Sequence, residues 1–217
     1  MSSNRNIRVI GSGGHSKVVL STIVARFGGD PASVGGVYDD DEDKRGTTVL
    51  GHRIGHTSEI QMLPQVGPYN LFVAIGDNSA REAVVRRFPS GNWPVVTHPS
   101  AWVAPSASLG EGTVVCAGAV IQAGAVVGKH CIINTNASID HDCSIGDFTH
   151  VAPGSTLCGH VRIGRGSLIG AGSTIKPRMS IAEWCVVGCG AVVVKCFHEE
   201  QSVIVGVPAG LRSASDI

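Results

Sequence analysis

Residues 115–151, VCAGAVIQAGAVVGKHCIINTNASIDHDCSIGDFTHV, decide the fold of this chain. An aliphatic residue returns at every sixth position of this stretch, and the same register continues without a slip in both directions. The sixteen positions are Val103, Leu109, Val115, Ile121, Val127, Ile133, Ile139, Ile145, Val151, Leu157, Ile163, Ile169, Ile175, Ile181, Val187 and Val193. Neither the 3.6-residue period of an α-helix nor the alternation of a single strand produces this spacing. The period of six therefore predicts a repeat architecture.

Each hexad is typical of a short strand followed by a turn. A small residue stands four places after most of the aliphatics, as at Ala125 and Ser155, and Gly, Asp or another turn-forming residue often stands one place after, as at Gly128 and Asp140. We expect the aliphatic side chain to face inward and the turn to tolerate a positive φ. Three hexads close one triangular coil, which advances by about 4.8 Å, one strand spacing. Because such coils bury their open ends only by stacking, the sequence predicts an all-β parallel β-helix over residues 99–217.

Residues 1–98 predict a separate domain of the α/β class. An apolar run at 7–10 ends in the glycine-rich turn 11–16, and an amphipathic helical pattern follows. Two further apolar runs, 34–38 and 71–75, end in polar residues, among them Asp39. Alternation of this kind indicates a small Rossmann-like parallel sheet with helices on its faces, which binds ligands at the carboxyl ends of its strands.

The glycine-rich turn suits a diphosphate, because the free amides and the dipole at a helix N-terminus favour anions. As a dinucleotide fingerprint it is incomplete. Ser16 replaces the third glycine, and Asp39 and Asp40 lie beyond the usual offset of about 20 residues. Three strand ends with polar residues favour nucleotide binding, and a plain strand-to-helix turn is the alternative.

Charge and cysteine usage exclude several classes of protein. Lys plus Arg and Asp plus Glu number 17 each, so no net field favours nucleic acid or an anionic membrane. Residues 1–8 carry no apolar leader and no apolar run reaches the roughly 18 residues of a membrane span, so we expect a cytoplasmic protein. Seven cysteines without paired spacing argue against a disulfide framework or a zinc ribbon. Cys131, Cys143 and Cys185 fall on inward positions and are expected to pack in the core.

The candidate chemistry lies in the polar segment 134–150. His141 stands two residues after an inward aliphatic, hence at a coil corner, and its neighbour Asp142 can fix the imidazole tautomer. One coil further along is Gly159, whose amide should lie near the same corner with no side chain to block approach. A base beside an exposed backbone donor is what acyl transfer requires. Asn134, at a position where small residues dominate, is equally compatible with a polar functional role and with a turn.

Three segments resemble the bacterial nucleotide-aminosugar N-acetyltransferases and the related sialic acid O-acetyltransferases. They are Gly11-Ser-Gly-Gly-His15, Asn134-Thr-x-Ala-x-Ile-Asp-His-Asp142 and Val205-Gly-Val-Pro-Ala-Gly210. The resemblance covers nearly the whole chain. It implies a left-handed β-helix, against the usual crossover rule, and a homotrimer. It also implies a nucleotide sugar bound by the N-terminal domain and coenzyme A in a groove between neighbouring β-helices.

The same resemblance implies a role for particular residues. His141 is the general base, Asp142 its orienting partner and Gly159 the oxyanion donor. The residues that the resemblance implies contact the substrate are Gly13, His15, Asp39, Asn134 and His150. The implied reaction is transfer of acetyl from acetyl-CoA, without a metal, to the C4 amine of a nucleotide-linked 4-amino-4,6-dideoxysugar, GDP-perosamine first among them. A UDP-linked amino sugar and O-acetylation of a sialic-acid-type sugar stay open, and Asp142 stands where some relatives carry glutamate.

Three other classes of protein compete with this interpretation. The interpretation as a dehydrogenase depends on the glycine-rich turn alone and gives no function to the hexad repeat. A zinc hydratase on a β-helix needs three histidines at a subunit interface, for which His130, His141, His150 and His160 are candidates, but it leaves Asp142 and the N-terminal domain unexplained. A noncatalytic binding or scaffold protein is the third alternative, and a thioester-cleavage assay with candidate amino sugars separates it from the enzyme. The acetyltransferase accounts for both halves of the chain.

Overall fold

The computed structural model describes residues 6–62 and 69–212. The chain divides into two compact units, Met1–Pro99 and Ser100–Ile217. The first unit is an α/β domain, and the second is a parallel β-helix.

The α/β unit is built on a five-stranded sheet. Its elements are β1 (Ile7–Ile10), α1 (Gly14–Arg26), β2 (Val34–Asp39), β3 (Thr48–Val49), β4 (His52–His56), α2 (Ser58–Gln61), β5 (Leu71–Val73), α3 (Asn78–Arg86) and β6 (Val96–Thr97), with 3₁₀ turns at Pro31–Ser33 and Glu42–Lys44. The strand order is β3-β4-β2-β1-β5. Strands β4, β2, β1 and β5 are parallel, and β3 joins β4 as an antiparallel edge strand. The Rossmann-like sheet is confirmed, and the β3–β4 pair is an addition to it.

Helix α1 follows β1 through the glycine-rich turn. Val19, Leu20 and Ile23 share one face of the helix and are buried. The helix begins after Gly13, an N-cap without a side chain, and ends before Gly28, which adopts a left-handed φ of 75°. Within the two described ranges, no helix is both long and apolar enough to cross a membrane.

The second unit is a triangular prism of stacked coils. Across residues 102–193, all of them described, it contains sixteen two-residue strands: β7 (Trp102–Val103), β8 (Ser108–Leu109), β9 (Val114–Val115), β10 (Val120–Ile121), β11 (Val126–Val127), β12 (Ile132–Ile133), β13 (Ser138–Ile139), β14 (Ser144–Ile145), β15 (His150–Val151), β16 (Thr156–Leu157), β17 (Arg162–Ile163), β18 (Leu168–Ile169), β19 (Thr174–Ile175), β20 (Ser180–Ile181), β21 (Val186–Val187) and β22 (Val192–Val193). Every third strand pairs in parallel, which gives the three faces β7-β10-β13-β16-β19-β22, β8-β11-β14-β17-β20 and β9-β12-β15-β18-β21. Strands β23 (Val203–Gly206) and β24 (Ala209–Leu211) extend the last face as an antiparallel pair. The register of eighteen residues, with Ile121 beside Ile139 and Ile139 beside Leu157, is the one predicted from the hexads.

The interior of the prism is filled by the hexad aliphatics and the small residues between them. Ile121, Ile139 and Leu157 are completely buried. Cys131, Cys143 and Cys185 lie in the same core, so their expected packing role is confirmed. Burial raises the pKa of the Cys143 thiol to about 11, which keeps it protonated and unreactive at neutral pH.

The turns differ from the prediction in one respect. The left-handed residues stand three places after each inward aliphatic, in an unbroken six-residue series from Gly112 to Gly190. The glycines directly after the aliphatics serve close packing between coils instead. A Cβ on Gly110 would lie 2.5 Å from the backbone of Gly128, one coil along. The positive φ expected at these glycines was therefore wrong, because strand stacking, not the turn, excludes their side chain.

Candidate active site

The carboxyl ends of β1, β2 and β5 border a cleft of about 300 Å³ in the α/β unit. The glycine-rich turn forms one wall, with Asp39, Asp40 and Lys44 on the other side and Gly76 at the end of β5. The structure therefore brings Gly13, His15 and Asp39 to one place. A Cβ on Gly13 would meet no atom within 4 Å, so nothing within the described chain requires glycine there.

Asp39 ties the second strand to the glycine-rich turn. Its carboxylate accepts hydrogen bonds from the backbone N of Ser12 at 2.8 Å, from the Ser12 hydroxyl at 2.5 Å and from the backbone N of Asp41 at 3.0 Å. Lys44 Nζ lies 3.5 Å from the same carboxylate. Partial burial favours a higher pKa for Asp39, but these hydrogen bonds outweigh it and hold the pKa below its usual range. Asp39 is thus an ionised brace of the turn in the structure.

Two other groups of the cleft have strongly shifted pKa values. Burial, assisted by the positive charge of Arg81, lowers the pKa of His15 to about 4, so this imidazole is neutral at physiological pH. Asp40 forms a bidentate pair with Arg87, and that hydrogen bonding lowers the pKa of Asp40 to about 2. The cleft therefore combines fixed negative charges, the Lys44 ammonium and the N-terminus of α1.

A second polar site occupies one corner of the prism, between β13 and β14. His141 Nδ1 lies 2.8 Å from Asp142 Oδ2, and the backbone N of His141 donates to Asp140 Oδ1 at 2.7 Å. Asp142 adopts the left-handed conformation of the corner, with φ 58°. The hydrogen bond to Asp142 raises the pKa of His141 above its usual value and lowers that of Asp142. With Asp142 as acceptor, Nδ1 carries the proton and Nε2 keeps its lone pair.

Gly159 lies directly against the imidazole. A Cβ built on Gly159 would be 2.6 Å from His141 Nε2 and 2.7 Å from Cε1. In the part of the chain that is described, the Gly159 amide donates no hydrogen bond, whereas the amide of the next residue, His160, donates to the His141 carbonyl at 3.0 Å. The structure thus places a lone-pair nitrogen beside a residue with an unused backbone donor.

Asn134 and His150 form a separate pair. Asn134 Nδ2 lies 3.1 Å from His150 Nε2, and Asn134 Oδ1 accepts from the backbone N of Thr135 at 2.8 Å. Asn134 begins a β-turn, since its carbonyl accepts from the backbone N of Ala137 at 3.0 Å, and the left-handed position of that turn belongs to Asn136. His150 belongs to the face that contains β12 and β15, whereas His141 follows β13 in another face. One copy of the chain does not bring the two pairs together.

Of the four histidines that a metal-dependent hydratase could use, His141 and His160 meet at one corner within the described residues of a single chain. His130 is buried and stacks on Phe148 with a centroid distance of 5.1 Å. His160 was not expected at the His141 corner, yet its ring packs edge-on against that of His141 at 5.1 Å, and its Nε2 lies 3.7 Å from Asp142 Oδ2. The eighteen-residue register could have predicted this contact, because His160 stands one coil after Asp142 and therefore at the same corner.

Known proteins share both units and their order. Residues 6–88 match the PglD N-terminal domain family, and residues 124–159 match the bacterial transferase hexapeptide family. The acetyltransferase domain of PglB from Neisseria gonorrhoeae FA1090, solved with acetyl coenzyme A, is 36% identical, with a TM-score of 0.86 over 97% of this chain and 100% of that chain. PerB from Caulobacter crescentus, solved with CoA and GDP-perosamine, is 37% identical, with a TM-score of 0.86 over 96% of this chain and 97% of that chain.

A curated relative gives a shorter match. The UDP-N-acetylbacillosamine N-acetyltransferase of Bacillus subtilis (strain 168) is 37% identical over 119 residues, so this alignment spans about half of each chain, 52% of both.

The stacked hexads and the histidine corner define the class, a hexapeptide-repeat acyltransferase. The similarity to PglB and PerB over nearly the whole chain identifies the family within that class. The chain belongs to the family of acetyltransferases that includes the PglB acetyltransferase domain and PerB.

Proposed function

We propose that this protein transfers the acetyl group of acetyl-CoA to the C4 amine of a nucleotide-linked 4-amino-4,6-dideoxysugar, with GDP-perosamine as the first candidate. The observation that carries the proposal is the corner at which Asp142 holds His141 Nδ1 and leaves Nε2 against Gly159. The family relationship supports the donor and the sugar class, because the relatives were solved with acetyl-CoA, CoA and GDP-perosamine.

The reaction needs one base and no covalent intermediate. The neutral sugar amine attacks the thioester carbonyl and forms the new C–N bond, and His141 Nε2 accepts the proton that the amine nitrogen loses. The tetrahedral intermediate then collapses, the C–S bond breaks, and coenzyme A leaves as the thiolate or, after taking up a proton, as the thiol. Asp142 stabilises the imidazolium that forms on His141, which agrees with the raised pKa of that imidazole.

The oxyanion of the intermediate is assigned to the backbone amide of Gly159. This amide has no hydrogen-bond acceptor among the described residues, and it belongs to the residue that touches Nε2. By comparison with a measured donor deletion in another enzyme, such a hydrogen bond can contribute roughly 3 to 4 kcal/mol to transition-state stabilisation.

The nucleotide is assigned to the cleft of the α/β unit. The free backbone amides in the first turn of α1 favour the binding of an anion. The open space above Gly13 allows a diphosphate to approach the backbone. Asp39 holds the turn in place through Ser12, and His15 presents a neutral imidazole at the same cleft. Gly13, His15 and Asp39 therefore serve substrate binding in the proposal, and not proton transfer.

The separation of the two polar pairs on the prism supports a homotrimer. His141 with Asp142 lies at one corner, and Asn134 with His150 lies on a different face. If both pairs serve one reaction, a second copy must supply one of them, and a triangular prism is suited to packing about a threefold axis. Coenzyme A would then bind between neighbouring copies.

The acceptor is tested by incubating the protein with acetyl-CoA and a panel of UDP- and GDP-linked 4-amino-4,6-dideoxysugars. Mass spectrometry should show a gain of one acetyl group on a GDP-linked amino sugar, as an amide that survives mild alkali. An alkali-labile acetyl ester would indicate O-acetylation instead. No product with any acceptor would overturn the proposed function.

The trimer is tested by sedimentation. Equilibrium analysis should give three times the mass of the 22.4 kDa chain. A fully active monomer would exclude the shared coenzyme A groove.

A further inference from the structure

His141, Asp142 and His160 bring three metal-ligating atoms to one exposed corner. Nδ1 of His141, Oδ2 of Asp142 and Nε2 of His160 all lie within 4.8 Å of one another. Asp142 Oδ2 is 2.8 Å from the His141 nitrogen and 3.7 Å from the His160 nitrogen. The side chains of all three residues are about half exposed, so an ion in solvent can reach them.

The backbone fixes this arrangement. Asp142 and His160 occupy the left-handed corner positions of successive coils, with φ values of 58° and 61°. The amide of His160 donates to the carbonyl of His141 at 3.0 Å, which holds the two coils in register at this point. Because the ligand atoms project from stacked corners and not from a long loop, little ordering is needed to bring them around an ion.

The donor set is one that zinc prefers. Zinc binds imidazole nitrogen at about 2.0–2.1 Å and carboxylate oxygen at about 2.0–2.2 Å, so two ligands of one tetrahedral ion stand about 3.4 Å apart. The separations of 2.8 and 3.7 Å from Asp142 Oδ2 lie close to that value, and the two histidine nitrogens, which lie within 4.8 Å of each other, approach it by side-chain rotation. Three protein ligands leave a fourth tetrahedral position for water. We propose that the corner formed by His141, Asp142 and His160 binds one divalent transition-metal ion of the zinc class per chain, and that the ion inhibits acetyl transfer.

The inhibition rests on the proposed function and follows from the tautomer of His141. Without the ion, the proton sits on Nδ1 and Nε2 has the free lone pair. An ion bound to Nδ1 uses the lone pair of that nitrogen, so the imidazole proton moves to Nε2 and no proton is lost overall. Nε2 then cannot accept a proton from the sugar amine, and Asp142, bound to the ion, no longer stabilises an imidazolium.

Binding is tested directly, without reference to activity. Untagged protein is titrated with Co²⁺, whose visible d–d absorption reports coordination, and with Zn²⁺ in competition. Wild-type protein should bind one ion per chain. His160→Asn, which removes one ligand and leaves the His141–Asp142 pair, should weaken Co²⁺ affinity by about tenfold or more, since losing even an outer-shell partner of a metal site costs about 10–100-fold. His198→Asn, a change at an exposed histidine of the same unit, is the matched control and should bind like wild type.

The activity arm uses the same variants, with initial rates of acetylated-sugar formation followed by mass spectrometry. Zn²⁺ should inhibit wild type and His198→Asn, and His160→Asn, with each rate expressed relative to the same variant's own rate without metal, should require about tenfold more Zn²⁺ for the same fractional inhibition. Absence of one-to-one Co²⁺ binding, or equal affinity in His160→Asn, overturns the metal site whatever the activity. Equal Zn²⁺ inhibition of wild type and His160→Asn overturns the inhibitory mechanism. If the ion binds as expected but no acceptor is acetylated, the proposed function fails and the metal site stands.

Discussion

Gly159→Ala tests the contact between the proposed base and the neighbouring coil. The added Cβ would lie 2.6 Å from His141 Nε2, and carbon contacts are normally about 3.5 Å, so the imidazole must move by about 0.9 Å. A misplacement of about 1 Å can lower a rate about 10²-fold. That factor corresponds to about 2.7 kcal/mol in the activation free energy. We therefore expect kcat to fall by about two orders of magnitude.

The fold should tolerate this change. The equivalent corner positions are Ala123, one coil before His141, and Pro177, one coil after Gly159, so the backbone at this corner accepts a Cβ. The clash is with an exposed side chain that can rotate away. The melting temperature of Gly159→Ala should therefore match that of wild type, measured by calorimetry on the same samples.

A double variant isolates the cause. In a His141→Ala background the obstructing ring is absent, so Gly159→Ala should lower the residual kcat by less than about threefold. A hundredfold loss in both backgrounds would mean that the alanine blocks donor or acceptor and does not act through the imidazole. Near-wild-type kcat for Gly159→Ala alone would refute the geometric reasoning.

Three further predictions concern carboxylates. Asp39→Ala removes the brace of the glycine-rich turn, so it should raise KM for the nucleotide sugar and leave kcat and the KM for acetyl-CoA nearly unchanged in steady-state kinetics. Asp142→Asn removes the negative partner that raises the pKa of His141, so the acidic limb of the rate profile should shift to lower pH, and kcat at neutral pH should fall less than in a His141 variant. Arg87→Ala should return the lowered pKa of Asp40 toward its usual range. Because that ion pair stabilises the fold only while Asp40 is ionised, its contribution is present above about pH 4. The stability difference from wild type, at most about 1 kcal/mol at pH 7 in urea titrations, should vanish as the pH falls toward 2.

The β-helix was predictable because one physical constraint repeats. Every sixth side chain must fill the same narrow interior, so the hexad period predicts the register of Ile121, Ile139 and Leu157. Adding one coil of eighteen residues to position 141 predicted that Gly159 lies against His141. The same addition to position 142 would have predicted that His160 lies at this corner too.

Other features could not be derived in this way. Strand β4, His52–His56, lacks an apolar run, because it lies next to the sheet edge with only Ile54 buried in the core. The pairing of Asp40 with Arg87 joins residues that are 47 positions apart, and no local pattern encodes it. Asn134 and His150 meet because their strands are adjacent in one face, which is a consequence of register, but the contact also depends on side-chain direction.

The central claim is that His141 takes the proton of the attacking amine, and the pH dependence of His141→Asn tests it most directly. Asparagine keeps similar size and hydrogen-bonding capacity but cannot serve as the base, so kcat should fall by roughly 10² to 10⁴ with the KM values nearly intact. Wild type should show an acidic limb with an apparent pKa above the usual imidazole value of about 6.5, because Asp142 raises the pKa of His141. In the variant this limb should disappear, and the limb caused by protonation of the sugar amine should remain. Near-wild-type kcat in His141→Asn, or an unchanged acidic limb, would contradict the account and make His150 the next residue to test.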